Sequence, residues 1–199
     1  MQGLDLPTTS DEQLVAALAR GEGQARPALA ALYRRHATFV HRVAWRTLGE
    51  PEAARDVTQS VFEGLIDGAR HFRPEARFTT WLHRVVVNRC LHHLERAEHR
   101  LRAPDVDDAA LARRPTSAAF DPERVAARRE LGAAIEAALA ELPARQRLAM
   151  VLADVEGLDQ RALAAALETS ESAVESLLVR ARHRMRSALA DHRAEWRTP

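Results

Sequence analysis

Apolar residues recur at spacings of three and four through most of the chain, and no alternating β-branched run long enough for a sheet interrupts them. The pattern predicts an all-α protein. Ser10 and Gln13 form the two ends of a capping box that opens a short helix carrying Leu14 and Leu18, and Gly21-Glu22-Gly23 closes it. A second helix is expected from about Pro27 to Leu48, its inner face traced by Leu29, Leu32, Tyr33, His36, Phe39, Val40, Val43 and Leu48, with Gly49-Glu50-Pro51 as the stop. The third begins at Pro51, carries Ala54, Val57, Val61, Phe62, Leu65 and Ile66, and frays at Gly68. An arginine-rich loop, HFRPEARF, follows. Thr79 is the expected cap of a fourth helix whose stripe is Leu82, Val85, Val86, Cys90 and Leu94, which leaves Arg84, Asn88, Arg89 and His92 on other faces. These four helices are expected to share one core.

Residues 103–120 lose the amphipathic pattern and gather Pro104, Asp105, Asp107, Asp108, Pro115, Thr116 and Ser117, so they read as a flexible linker. A second unit restarts at Asp121-Pro122, an N-cap followed by a first-turn proline, and offers Val125, Leu131, Ile135, Leu139 and Leu142 as a core face. Pro143 starts a helix with Leu148, Val151 and Leu152 that stops near Glu156-Gly157. Asp159 caps a short helix bearing Leu163 and Leu167, and Ser170 opens a long last helix with Val174, Leu178, Ala181, Met185 and Leu189 on one side. The expected organisation is two small helical domains, 10–102 and 121–192, joined by the linker.

Composition narrows the classes. With 46% hydrophobic and 29% charged residues over 199 positions, the chain has enough apolar surface to fold. No apolar run approaches the roughly 20 residues of a membrane span, and MQGLDLPTTSDEQ lacks a basic segment followed by an apolar one, so neither insertion nor secretion is expected. The single cysteine, Cys90, can form no intramolecular disulfide, which fits a cytoplasmic protein. Net charge is only +1, but its distribution is uneven. All basic residues are arginine. Arg77 to Arg102 holds six arginines against Glu95 and Glu98, whereas Ala103 to Asp121 holds two against four aspartates. A basic segment abuts an acidic one.

Two features could carry function. The short helix from Asp159, the turn and the arginine-bearing helix from Ser170 have the lengths of a helix-turn-helix, in which the first residues of the second helix meet base edges and later arginines neutralise phosphates. An ordinary helical hairpin with a solvated arginine face has the same spacing. Between His71 and Arg89, aromatic and basic residues interleave as Phe72, Arg73, Arg77, Phe78, Trp81, Arg84 and Arg89, a mixture suited to unstacked bases and their backbone. A core role for Phe78 and Trp81 beside solvated arginines fits equally. Cys90, His92, His93 and His99 suggest no metal site, because Cys90 falls on the apolar stripe and the histidines wind around the helix. No nucleophile, base and orienter are recognisable, and no glycine-rich phosphate loop exists, so no enzyme and no cofactor are expected.

The segment FRPEARFTTWLHRVVVNRCLHHL, Phe72 to Leu94, resembles the promoter-melting and minus-ten-reading region of extracytoplasmic-function sigma factors of bacterial RNA polymerase, with its pattern F-R-x-x-x-x-F-x-T-W-L-x-R-I-A-x-N. Upstream, RDVTQSVFEGL, Arg55 to Leu65, is similar to the family's D-x-x-Q-x-x-F signature. Downstream, LPARQRLAMVLADVEGLDQRALAAAL followed by TSESAVESLLVRARHRMR resembles the C-terminal domain that reads the minus-thirty-five element. Three motifs in the family's order span most of residues 10–190.

The resemblance implies a non-enzymatic initiation factor whose partners are core RNA polymerase, promoter DNA as duplex and melted nontemplate strand, and an anti-sigma factor. It places Asp56, Gln59 and Phe62 in or beside the polymerase-docking surface. It assigns minus-ten DNA to Phe72, Arg73, Arg77, Phe78, Trp81, Arg84, Asn88 and Arg89. Minus-thirty-five DNA falls to Ser170, Glu171, Ser172, Ala173, Glu175, Ser176, Arg180 and Arg182. The acidic linker is expected to thread toward the RNA exit path. Glu175 and Leu177 stand where the family has a basic residue and an arginine, which leaves less positive charge toward DNA, and Glu168 replaces the turn glycine, which calls either for a non-glycine residue at positive φ or for an adjusted turn. Either Leu177 or Val179 could meet a thymine methyl, or this domain could lean on a protein partner. Arg55 and Ser60 replace common acidic residues, so docking rests more on Asp56 and Gln59. A stand-alone helix-turn-helix regulator with an N-terminal sensing or dimerisation domain, and a helical adaptor that binds protein only, are the alternatives.

Overall fold

The computed structural model describes residues 8–21, 23–73, 77–101 and 122–190. Among them are eight α-helices and no strand: α1 (Asp11–Arg20), α2 (Ala25–Leu48), α3 (Pro51–Gly68), α4 (Phe78–Leu101), α5 (Pro122–Ala140), α6 (Ala144–Met150), α7 (Gln160–Ala166) and α8 (Glu171–Ala188). A 3-10 turn, Ala69–His71, prolongs α3, and a π-helical segment, Val151–Val155, prolongs α6. The acidic linker at 103–120 and the core position expected of Val125 lie outside the described residues and side chains.

Local chemistry accounts for most boundaries. The Ser10 Oγ accepts the Gln13 N–H while the Gln13 side chain accepts the Ser10 N–H, so two donors at the start of α1 are satisfied reciprocally. Helix α2 ends where Gly49, at φ 77°, donates to the Trp45 carbonyl, and Pro51 then occupies the first position of α3. Thr79 does not cap α4. The helix starts at Phe78, two residues before a Thr79 cap would allow, because the Glu12 carboxylate of α1 accepts the Phe78 N–H at 3.0 Å and supplies the cap from another element.

The core runs through both groups of helices. Leu14, Leu32, Val43, Val61, Leu65, Phe78, Leu82, Val86 and Cys90 form one contiguous buried cluster with Leu148, Leu152, Leu163, Leu167, Val174 and Leu178. A smaller cluster joins Ala138, Leu139 and Leu142 to Ala181 and Met185. Helix α7 packs on α4, and α5 and α6 reach α2. No described helix is long and apolar enough to cross a membrane.

Candidate nucleic-acid and polymerase interfaces

On α3, Asp56 and Gln59 are exposed on one face, and Gln59 donates to Glu63 at 2.7 Å. Phe62 lies beneath them, 4% exposed, its ring 4.8 Å from that of Tyr33. It belongs to the core rather than to the outer face. Beside it a groove of about 840 Å³ opens between α2 and α3, lined by Tyr33, Trp45, Gln59, Phe62 and Ile66 among others. Tyr33 and Ile66 each leave about half of their surface in solvent.

The aromatic residues around the loop into α4 form a cluster, with ring centroids 5.6 Å apart for Phe72 and Trp81, 5.9 Å for Phe78 and Trp81 and 6.5 Å for Phe72 and Phe78. Phe78 is completely buried and also meets His36 at 5.2 Å, so it supports the cluster from below. Phe72 and Trp81 are half-buried, and Arg73 and Arg77 are exposed beside them. Residues 74–76 lie outside the described residues. The Phe78 bond to Glu12, with lesser help from Ser10, holds the Glu12 carboxyl below its ordinary value.

Further along α4, Arg84, Asn88 and Arg89 are exposed. They sit on the side away from Leu82, Val86, Val87 and Cys90, which are buried. Val87 joins that stripe and Val85 is only half-buried, a one-position shift from the apolar spacing. The two helices approach closely through glycines: a Cβ on Gly64 would fall 2.8 Å from Arg89 Nη2, and one on Gly68 would fall 2.7 Å from Trp81 Cζ2.

Helices α7 and α8 form the helix-turn-helix. The Asp159 carboxylate accepts the Ala162 N–H at 2.7 Å, and the Ser170 hydroxyl accepts the Ala173 N–H at 3.2 Å. Between them Glu168 takes φ 50°, so the turn keeps the positive value of the glycine it replaces rather than adjusting, and the Thr169 N–H returns to the Ala164 carbonyl at 3.0 Å as in a Schellman cap. Arg145 donates to the Leu167 carbonyl at 2.6 Å and ties the turn to α6.

Glu171, Ser172, Glu175 and Ser176 are exposed at the start of α8, while Ala173 is half-buried. Leu177 packs against the core, whereas Val179 is 61% exposed, so of the two only Val179 points outward. Arg180 bonds back to the Ser176 carbonyl at 3.1 Å, and Arg182 forms a fork on Asp154 through bonds of 2.6 and 3.3 Å. That bond raises Arg182 above the usual arginine value.

Polar links between the two helix groups have no sequence signature. Arg42 of α2 clasps Glu156 through bonds of 2.6 and 2.5 Å, and the Glu156 side chain is only 3% exposed. Arg84 of α4 pairs with Glu168. Arg147 of α6 donates to the Thr47 carbonyl of α2 at 2.7 Å.

Two family models match the chain: Sigma-70 region 2 over residues 32–100 and Sigma-70, region 4 over residues 132–185. The chain is 35% identical over 190 residues to the ECF RNA polymerase sigma factor SigE of Mycolicibacterium smegmatis, covering 94% of this chain and 72% of that one. It is 36% identical over 176 residues to the ECF RNA polymerase sigma factor SigM of Mycobacterium tuberculosis, covering 88% and 83%. Among solved structures, CnrH in complex with the cytosolic domain of CnrY superposes with a TM-score of 0.63 at 29% identity, covering 92% of this chain and 99% of that one. A chain with a region-2 match, a region-4 match and an all-helical fold carrying a helix-turn-helix is of the sigma class. It belongs to the extracytoplasmic-function sigma factors of RNA polymerase.

Proposed function

We propose that this chain binds core RNA polymerase in the cytoplasm and makes it promoter-specific, catalysing nothing itself. In this reading the segment 10–102 docks on polymerase through the exposed α3 face at Asp56 and Gln59 and captures melted minus-ten DNA. The segment 103–120 is the linker, and 121–192 grips duplex DNA at the minus-thirty-five element. The observation that carries the reading is the half-buried Phe72 and Trp81 pair, seated on the buried Phe78 and flanked by the exposed Arg73 and Arg77. Half-open aromatic faces beside guanidinium groups suit an unstacked base and the phosphates on either side of it. Arg84, Asn88 and Arg89 extend that surface along α4.

At the other end, Ser170, Ser172 and Ser176 offer hydroxyls to the major groove while Arg180 and Arg182 supply phosphate contacts. Glu171 and Glu175 suit the positive end of the helix dipole but oppose DNA phosphates, so duplex binding by the free chain is weak. Polymerase overcomes that weakness by holding both DNA-binding segments at high effective concentration. An anti-sigma factor is the expected antagonist, and the related CnrH is seen with the cytosolic domain of CnrY.

Co-elution with core polymerase on a sizing column tests the reading. Wild type is expected to travel with polymerase, and the Asp56→Ala/Gln59→Ala double variant to lose it. Undiminished binding by the double variant removes the assignment of that face. Duplex binding that is tight without polymerase, together with no co-elution, would favour a stand-alone regulator.

A further inference from the structure

Phe72 and Phe78, the two phenylalanines of the minus-ten surface, are both reached from one short helix. Helix α1 packs on the 3-10 turn Ala69–His71, to which the Phe72 N–H bonds back at the Ala69 carbonyl, and its Glu12 carboxylate accepts the Phe78 N–H where α4 begins. The neighbouring Asp11 extends the same hold to the Phe78 ring. Its two oxygens accept Arg35 Nη1 at 2.6 Å and His36 Nε2 at 2.7 Å, and the His36 ring lies 5.2 Å from that of Phe78. Consecutive carboxylates thus fix the backbone and the ring of Phe78, on which Phe72 and Trp81 rest with centroids at 6.5 and 5.9 Å. Buried Leu14, Val15, Ala17 and Leu18 root α1 in the core, and the Ser10–Gln13 capping box sets its first turn. The Sigma-70 region 2 match begins at residue 32, so α1 lies before it.

We propose that Asp11 and Glu12 are positioning residues for minus-ten DNA: from the first turn of α1 they hold Phe78 so that Phe72 and Trp81 stand ready for an unstacked base. The inference rests on the sigma reading and adds two residues to its minus-ten site. Both carboxylates carry the sign of the phosphates, so their contribution runs through Phe78 and not through contact with the strand. The first turn of α4 is the part that an uncapped helix start loses to fraying. Trp81 belongs to that turn, its N–H bonded to the Arg77 carbonyl at 3.2 Å, so the seat of the indole depends on the turn staying formed. A cluster already ordered in the free chain removes the cost of ordering it when DNA arrives, and affinity for the strand rises accordingly.

The test uses the complex of the full chain with core polymerase and a fluorescein-labelled single strand carrying the nontemplate minus-ten sequence of a promoter that the wild-type complex opens. Asp11→Ala/Glu12→Ala is expected to weaken capture of the strand, read by fluorescence anisotropy, on the order of tenfold, through loss of a charge-assisted cap and of the bond that orients His36. Affinity for polymerase, which rests on the separate α3 face, should stay within about twofold. Glu12→Gln keeps an amide oxygen for the Phe78 N–H and should recover most of the capture that Glu12→Ala loses. Gly49→Ala, strained at φ 77° with nothing within 4 Å of the added Cβ, lowers stability at the turn between α2 and α3 and should capture the strand as wild type does. Unchanged capture in the double alanine variant overturns the proposal. An equal loss in Gly49→Ala, or a parallel loss of polymerase binding, also overturns it, because either marks general destabilisation. If Glu12→Gln captures no better than Glu12→Ala, the role of the cap is refuted. A wild-type chain that binds no polymerase, or whose complex opens no promoter, removes the sigma reading and this role with it.

Discussion

Replacing Gly68 with alanine sets two calculable effects against each other. Gly68 ends α3 with φ −65° and ψ −29°, a conformation alanine adopts without strain. On backbone grounds alone the substitution stabilises by about 0.4–1 kcal/mol. The added Cβ, however, falls 2.7 Å from Trp81 Cζ2 and 3.1 Å from Cη2, where carbon atoms at rest stand about 3.5–4.0 Å apart. The indole must retreat by about 1 Å, and it is hemmed in by Phe72 and Phe78. Overpacking of this kind costs about 1–3 kcal/mol, so the net effect is a loss of about 1 kcal/mol. In a chain of this size that lowers Tm by about 2–4 °C. Because the displaced ring belongs to the proposed base-capturing cluster, promoter opening should fall more than stability does, while polymerase binding through α3 is retained. Urea unfolding followed by circular dichroism measures the first effect, and permanganate footprinting of promoter DNA with polymerase measures the second. A Gly68→Ala protein that is more stable than wild type and opens promoters normally would refute the reasoning.

Three further outcomes are expected. Glu12 titrates below its ordinary 4.5 in the folded chain, chiefly through the Phe78 bond, so its contribution is present above about pH 4.5 and is lost as pH falls through the lowered value; Glu12→Gln should flatten the acid limb of a stability titration. His83 lies half-buried with its ring 4.9 Å from Phe39, and burial lowers its pKa, assisted by His36 and partly opposed by Glu156. The folded form therefore favours the neutral ring, stability declines as pH drops through about 6.5, and His83→Gln should remove that slope from Tm measurements. Burial pushes the Cys90 thiol up to about 12, so the native protein should resist a thiol reagent at about pH 8 and react once unfolded in guanidinium; rapid native labelling would contradict its place in the core.

What could be read from the chain in advance was local. Ser10, Asp159 and Ser170 announce helix starts because a short polar side chain three residues from an orphan N–H is a near-neighbour signal, and Gly49-Glu50-Pro51 marks a boundary for the same kind of reason. The positive φ of Glu168 was one of two outcomes open at that turn, raised by the family resemblance that puts a glycine there, and the backbone takes it. Apolar spacing located the stripe of α4 but not its centre, since Val85 and Val87 compete for the same interior. The cap that Glu12 provides to Phe78 spans 66 residues, the Arg84 to Glu168 pair 84 and the Arg42 to Glu156 clasp 114. Such pairings depend on how whole helices dock, and no periodicity within one helix records them. Phe62 is the opposite case: the apolar spacing of α3 already set it on the inner face, where it packs against Tyr33, although it also holds a motif position.

The core shared between the two helix groups also bears on how long the protein survives. Apolar side chains from both groups fill one buried cluster, so separating them uncovers apolar surface. Chains in which the groups part would present that surface to proteases and to other copies of themselves. An intact cluster therefore preserves the chain, and turnover should rise with any substitution that loosens the packing between the groups.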